Sequence, residues 1–194
     1  MAKKKEKIIY INFNDEIEKE IVKNFMDYCV RKINEHRPKA IYFLFASPGG
    51  EVAAGINLYN FLKSLAPKVI MHNMGSVDSI GIVVFLAGKE RFASPHTSFH
   101  FHGVENTSQR NQQLDLKKVE EIKSKIERDQ EKIASIIMEN STITESEMDE
   151  LFWRGKAKSE KFAKEKQIIE EIKSVKLKEN DLLFSFSYKK EPSA

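Results

Sequence analysis

Apolar and polar positions alternate along residues 7–13, KIIYINF, and the segment is rich in β-branched and aromatic side chains, which predicts a strand. The period then changes. Ile17, Ile21, Val22, Phe25 and Cys29 recur at helical spacing, with Asn14 or Asp15 placed to cap the start and Pro38 to end the element. Residues 40–46, AIYFLFA, are continuously apolar, as in a central strand covered on both faces. SPGG turns the chain into EVAAGINLYNFLKSL, an amphipathic helix stopped by Pro67. KVIMHN (68–73) reads as a third strand. SIGIVVFLAG (79–88) reads as a mostly apolar helix closed by Gly88 in the role of a C′ glycine. ERFA and TSFHFH are short strands.

Strand–helix alternation at this spacing predicts an α/β fold with a mainly parallel sheet. In such sheets, sites form where strand C-termini meet helix N-termini. SPGG and GSVDS (75–79) both fall at such junctions, and the topology brings them to one edge of the sheet. Beyond His102 the pattern shifts. Residues 108–140 hold no Gly or Pro, and Leu114, Leu116, Val119, Ile122, Ile126, Ile133, Ile136 and Ile137 form a narrow stripe. This predicts one long helix that projects and packs on another subunit. Thr144 with Glu147 makes a capping box ahead of a further helix, and 159–172 predicts another, followed by a strand or tail. The whole is expected to be a single domain over 1–194, with a body at about 7–104, the projecting helix at about 110–140 and C-terminal helices and a tail, its end frayed, at about 144–194.

Composition narrows the function classes. Apolar residues make up 41% and aromatics 10% of 194 residues, as in a globular domain. Lys and Arg number 32 against 29 Asp and Glu, a mixed surface that gives no reason to expect nucleic acid. No apolar run approaches the roughly 20 residues needed to span a bilayer, and MAKKKEK lacks the features of a secretory signal. Cys29 is the only cysteine, so no internal disulfide forms and a reducing, cytoplasmic setting is expected.

Ser79 stands between a strand and an apolar helix. It is either an ordinary N-cap or a nucleophile whose developing oxyanion the Ile80 amide could serve, with a second amide from Gly50. A serine nucleophile needs a base. In PHTSFHFH, His100 and His102 share one strand face, with His96 at its start. They are candidates for a base or for part of a metal set, and satisfied surface histidines are the plain alternative.

Taken together, SPGGEVAAGINLY, MGSVDSIGIVVFLAG and RFASPHTSFHFH resemble the Clp peptidase family, serine proteases of the crotonase-like fold. Gly75, Ser79 and Gly81 match its nucleophile turn. The resemblance covers residues 7–140 well and the remainder weakly. It implies Ser79 as nucleophile, His102 as general base, and Gly50 and Ile80 as oxyanion donors, with no metal or organic cofactor. It implies a homo-oligomer, a ring or a stack of two rings, in which the long helix is the handle between rings. It implies peptides or unfolded proteins as substrates and a ring-shaped AAA+ unfoldase as partner. Two readings compete with an active peptidase: a weak or inactive scaffold of this family, and a crotonase-fold acyl-CoA binder.

Two departures from the family pattern stand out. The family's third triad member is an aspartate, and its position falls on Gly155; Glu147, Asp149 and Glu150 are candidate replacements, whereas Asp78 is expected to point elsewhere. The family's gating and docking segment precedes the first strand, where only about seven residues stand here, so weak or absent unfoldase coupling is expected.

Overall fold

The computed structural model describes residues 7–105 and 115–188. Three strand–helix steps open the chain: β1 (Ile8–Asn14), α1 (Lys19–His36), β2 (Ala40–Ser47), α2 (Val52–Ser64), β3 (Lys68–Asp78) and α3 (Ile80–Phe85), then β4 (Glu90–Ala93) and β5 (Ser98–His100). After α4 (Leu116–Glu139) come α5 (Glu145–Arg154), β6 (Ala157–Ser159), α6 (Glu160–Glu165), β7 (Glu171–Ile172) and β8 (Leu182–Ser185). The strands form one sheet in the order β6-β5-β3-β2-β1-β8, with β4 joined to β3 and carrying β7. Every pairing is parallel except β5 with β6.

The core lies where α1, α2 and α3 cover the sheet. Phe13, Phe25, Phe43 and Phe45 are buried there, with Phe13 stacked on Phe45 at 5.4 Å and tilted on Phe25 at 4.6 Å. Each such ring contributes about 1.5–3 kcal/mol by leaving water. All six residues of α3 are buried, so Ser79 is carried on an element packed from every side. The other sheet face holds a smaller cluster of Ala40, Ile70 and Phe92, bordered by Tyr42. Beside it, His72 is fully buried and bonded to Tyr42.

Several boundaries differ from the sequence pattern. Strand β3 continues to Asp78 because it changes partner: Ile70–Asn73 pair with β4 and Ser76–Asp78 with β5. GSVD is therefore strand, and only Ser79 remains as the turn. Neither Asn14 nor Asp15 caps α1. Asp15 accepts from the Glu16 amide, and Ile17 is engaged in a bridge with Gly50, which delays the helix to Lys19. Helix α3 ends at Phe85, and Gly88 is not left-handed; it is small because a Cβ would lie 2.7 Å from Met71 Cγ. Strand β5 ends at His100, short of His102. The helix expected over 159–172 stops at Glu165, turns through left-handed Gln167 (φ 58°), and gives way to β7.

The long helix begins at Leu116 with Asp115 as its cap; Leu114 and the earlier part of the predicted element lie outside the described residues. Its stripe divides. Ile133 and Ile137 are buried in the core, whereas Leu116 is 91% and Val119 46% exposed on the far end. The Thr144–Glu147 capping box is present as expected. The chain beyond Ile172 returns to the sheet as β8, parallel to β1; the frayed end expected beyond Tyr188 lies outside the described residues.

Candidate active site

The SPGG turn is built against Ser79. Gly49 (φ 93°) and Gly50 (φ 147°) occupy backbone conformations that L side chains rarely adopt. A Cβ on Gly49 would lie 2.8 Å from Ser79 Cβ, and one on Gly50 would lie 2.5 Å from the Ile17 carbonyl. The turn is held by the Ser47 hydroxyl, which accepts from Gly49 N–H at 3.1 Å. Ile17 N–H donates to the Gly49 carbonyl and Glu51 N–H to the Ile17 carbonyl, each at 2.8 Å. The Gly50 amide between them makes no hydrogen bond among the described residues.

Ser79 itself is strained. Its φ of 54° and ψ of −128° are unusual for a residue with a side chain, at a cost of about 1–3 kcal/mol. Its N–H donates to the His100 carbonyl at 2.8 Å, and its carbonyl accepts from Ile82 N–H at 3.0 Å. The hydroxyl makes no capping bond, so capping does not account for a serine here. The next amide, Ile80, makes no hydrogen bond among the described residues, while its side chain is buried against Gly55. Gly81 keeps α3 close to Ser47, whose Cβ would stand 3.4 Å from a Cβ at that position. Asp78 accepts from the Ser76 hydroxyl.

His102 lies just past β5 and lines the same cleft as Ser79 and Gly50, an open space of about 630 Å³. The Ser79 and His102 side chains are not hydrogen-bonded to each other in this structure. Its Nδ1 sits 2.8 Å from the Gly103 carbonyl oxygen. A carbonyl only accepts, so Nδ1 carries a proton, and in the neutral imidazole that leaves the lone pair on Nε2. His100 Nε2 lies 2.8 Å from the Gly155 carbonyl, and the two imidazoles are 5.3 Å apart. No group of three or more His, Cys, Asp or Glu side chains suited to a metal ion occurs among the described residues.

Gly155 ends α5 in the left-handed conformation (φ 55°, ψ 41°). A Cβ there would lie 3.8 Å from His102 Cβ, so the position does face the histidine. The three candidate carboxylates are elsewhere. Glu147 is bound by Lys166 and by Thr144, which hold its carboxyl below the usual range. Glu150 pairs with Arg154 at 2.8 Å, and Asp149 is exposed. None of the three lines the cleft.

Residues that sequence reasoning did not assign to the site complete its walls. Glu16 and Glu18 come from the β1–α1 connection, Glu51 from the foot of α2, and Ile126 and Asp129 from α4. Ile126, expected to serve only a subunit contact, therefore faces the cleft.

The sequence profile of the Clp protease family matches residues 2–176. The chain belongs to the Clp protease family. An ATP-dependent Clp protease proteolytic subunit 2 from Pseudomonas aeruginosa is 38% identical over 64 residues, 32% of this chain and 32% of that protein. The ATP-dependent Clp protease proteolytic subunits of Staurastrum punctulatum and Vitis vinifera are each 28% identical over 100 residues, 50% of this chain and 49% and 50% of theirs. These alignments span half or less of the length of the curated relatives. Among solved structures, a point mutant of ClpP1 from Listeria monocytogenes matches with a TM-score of 0.72 at 22% identity, over 86% of this chain and 91% of that one. The fold is thus the mixed α/β, ClpP/crotonase-like one expected from the strand–helix alternation and the resemblance. No helix among the described residues is long and apolar enough to cross a membrane.

Proposed function

We propose that this Clp-family chain is a serine peptidase that hydrolyses peptide bonds in peptides or unfolded proteins through an acyl-enzyme. Ser79 Oγ attacks the scissile carbonyl, and His102 Nε2 takes its proton. The tetrahedral oxyanion accepts hydrogen bonds from the Gly50 and Ile80 amides. His102 then gives the proton to the leaving amine, and water repeats the sequence to release the acyl group. The observation that carries the reading is the strained, uncapped Ser79 in one cleft with a histidine whose Nδ1 is engaged by a backbone carbonyl. Strain kept at a non-glycine residue, with nothing gained in capping, marks a functional demand.

The chain acts in this reading as a ring, or a stack of two rings, of identical copies. The exposed Leu116 and Val119 on the projecting end of α4 support a contact with another copy.

A weak or inactive scaffold is the competing reading, and one observation favours it. The His102 Nδ1–H points to a neutral carbonyl where a carboxylate would stabilise the imidazolium far more. Labelling with a fluorescent fluorophosphonate separates the two. Covalent labelling of the wild type that is lost in Ser79→Ala supports the peptidase. A folded wild type that stays unlabelled and does not cleave fluorescein-casein supports the scaffold.

A further inference from the structure

His100 touches the site at two places that are far apart in the chain. Its backbone carbonyl accepts the Ser79 N–H at 2.8 Å and so supports the strained turn from behind. Its imidazole Nε2–H donates to the Gly155 carbonyl, also at 2.8 Å. Gly155 is the left-handed residue that ends α5, and its Cβ direction meets His102 Cβ at 3.8 Å. One turn earlier, the Phe152 carbonyl accepts from Gly103 N–H at 3.2 Å, and the Gly103 carbonyl fixes His102 Nδ1–H. His102 is therefore held between two points on the end of α5. Gly103 is tied there by its backbone, and Gly155 is tied by the His100 side chain.

We propose that His100 is a positioning residue for the reaction: its bond to the Gly155 carbonyl seats the end of α5 against His102 and fixes where the His102 ring stands in the cleft that Ser79 lines. The proposal rests on the reading of Ser79 and His102 as nucleophile and base. An aspartate beside His102 would orient the ring by charge. Here an N–H donor and a carbonyl orient it by geometry, one residue removed. A displacement of about 1 Å in such a site costs up to about a hundredfold in rate. The plain alternative is that the antiparallel β5–β6 ladder, Ser98–His100 against Ala157–Ser159, already holds this turn and the imidazole is dispensable.

Three substitutions separate these. His100→Leu fills similar space without a donor. His100→Asn is polar but too short to reach Gly155, and His100→Gln places an amide N–H near the original Nε2. Fluorophosphonate labelling of Ser79, and kcat and KM for fluorescein-casein, are compared with the wild type, with circular dichroism as the folding control. The expected result is a loss of about tenfold or more in labelling rate and kcat for Leu and Asn, KM within about twofold, and recovery to within about threefold for Gln. Should Leu fail to fold, Asn against Gln carries the same comparison. Unchanged kcat in folded Leu or Asn, or a Gln variant as slow as Asn, overturns the role of His100 and leaves the Ser79–His102 site standing. A wild type that neither labels nor cleaves overturns that reading and this proposal together.

Discussion

Gly49 stands directly against Ser79: a Cβ on Gly49 would lie 2.8 Å from Ser79 Cβ and 2.9 Å from the Asp78 carbonyl. Asp78 ends β3 and Ser79 leads into the fully buried α3, so neither can move aside cheaply. The φ of 93° adds strain for any side chain. Gly49→Ala should cost at least about 2 kcal/mol in urea unfolding and should slow fluorophosphonate labelling by displacing Ser79. An alanine variant with the wild-type unfolding midpoint would show that the turn and Ser79 are not in firm contact.

Strain at Ser79 has its own signature. The hydroxyl caps nothing, so Ser79→Ala should end peptidase activity with a stability change under about 0.5 kcal/mol. Glycine adopts positive φ without a Cβ penalty. Ser79→Gly should therefore be the more stable of the two inactive variants, by about 1 kcal/mol, once the greater backbone freedom of glycine in the unfolded chain is set against the relieved strain. Thermal unfolding of the pair measures the difference directly. Equal stabilities would mean that the turn relaxes in the alanine variant.

His72 makes stability depend on pH. It is fully buried, with Nδ1 2.6 Å from the Tyr42 hydroxyl and Nε2 3.1 Å from the Ser94 hydroxyl. Burial pushes its pKa down to about 4 from 6.5; a hydrogen bond to the Lys173 backbone works against this shift, and the Lys173 charge works with it. The unfolded chain thus takes up the proton first as pH falls. Stability is present above about pH 6.5 and is lost between about pH 6.5 and 4, by up to about 3 kcal/mol. His72→Met removes the titrating group. It costs stability at neutral pH, because Tyr42 and Ser94 lose a partner, but it should flatten the slope in that window. Urea unfolding of both proteins at pH 7, 6, 5 and 4.5 checks this, and parallel slopes would assign the acid sensitivity to other groups.

Local chemistry was legible in the sequence, and tertiary choices were not. The Thr144–Glu147 box forms because both partners lie within one helical turn. The SPGG and Ser79 turns meet because parallel strands bring their C-terminal ends to one edge. The end of β3 was hidden because Gly75 and Ser76 carry turn-like residue types, while a new partner strand, β5, keeps them extended. Helical periodicity over 159–172 failed because Ile168 and Ile169 are buried through a left-handed turn at Gln167, not through a continuing helix. Ile126 could not be separated from the subunit-contact stripe, since its neighbour across the cleft, the SPGG loop, is remote in sequence. The orienting role of the Gly103 carbonyl left no signal, because a backbone acceptor has no residue type.

Placing a carboxylate beside His102 tests the reading of that residue as a general base. Glu147 and Glu150 are occupied by Lys166 and Arg154, so Gly155 is the position from which an acid could reach the histidine. Space exists there, since the nearest atom to an added Cβ is His102 Cβ at 3.8 Å. The backbone is left-handed at φ 55°, a conformation that Asp and Asn tolerate better than other side chains. A negative charge at the C-terminal end of α5 is mildly unfavourable, by about 0.3–1 kcal/mol. The Gly155 carbonyl, and with it the His100 bond, is retained in either variant. Gly155→Asn thus carries nearly the same backbone cost without the charge. If His102 is the general base, an acid beside its Nδ1 stabilises the imidazolium that forms as Ser79 loses its proton. Gly155→Asp should then label with fluorophosphonate, and cleave fluorescein-casein, at least about tenfold faster than Gly155→Asn, a fraction of the effect an optimally placed triad acid supplies. Equal rates in two folded variants would show that the Gly103 carbonyl already meets the need for orientation, or that proton transfer to His102 does not limit the reaction.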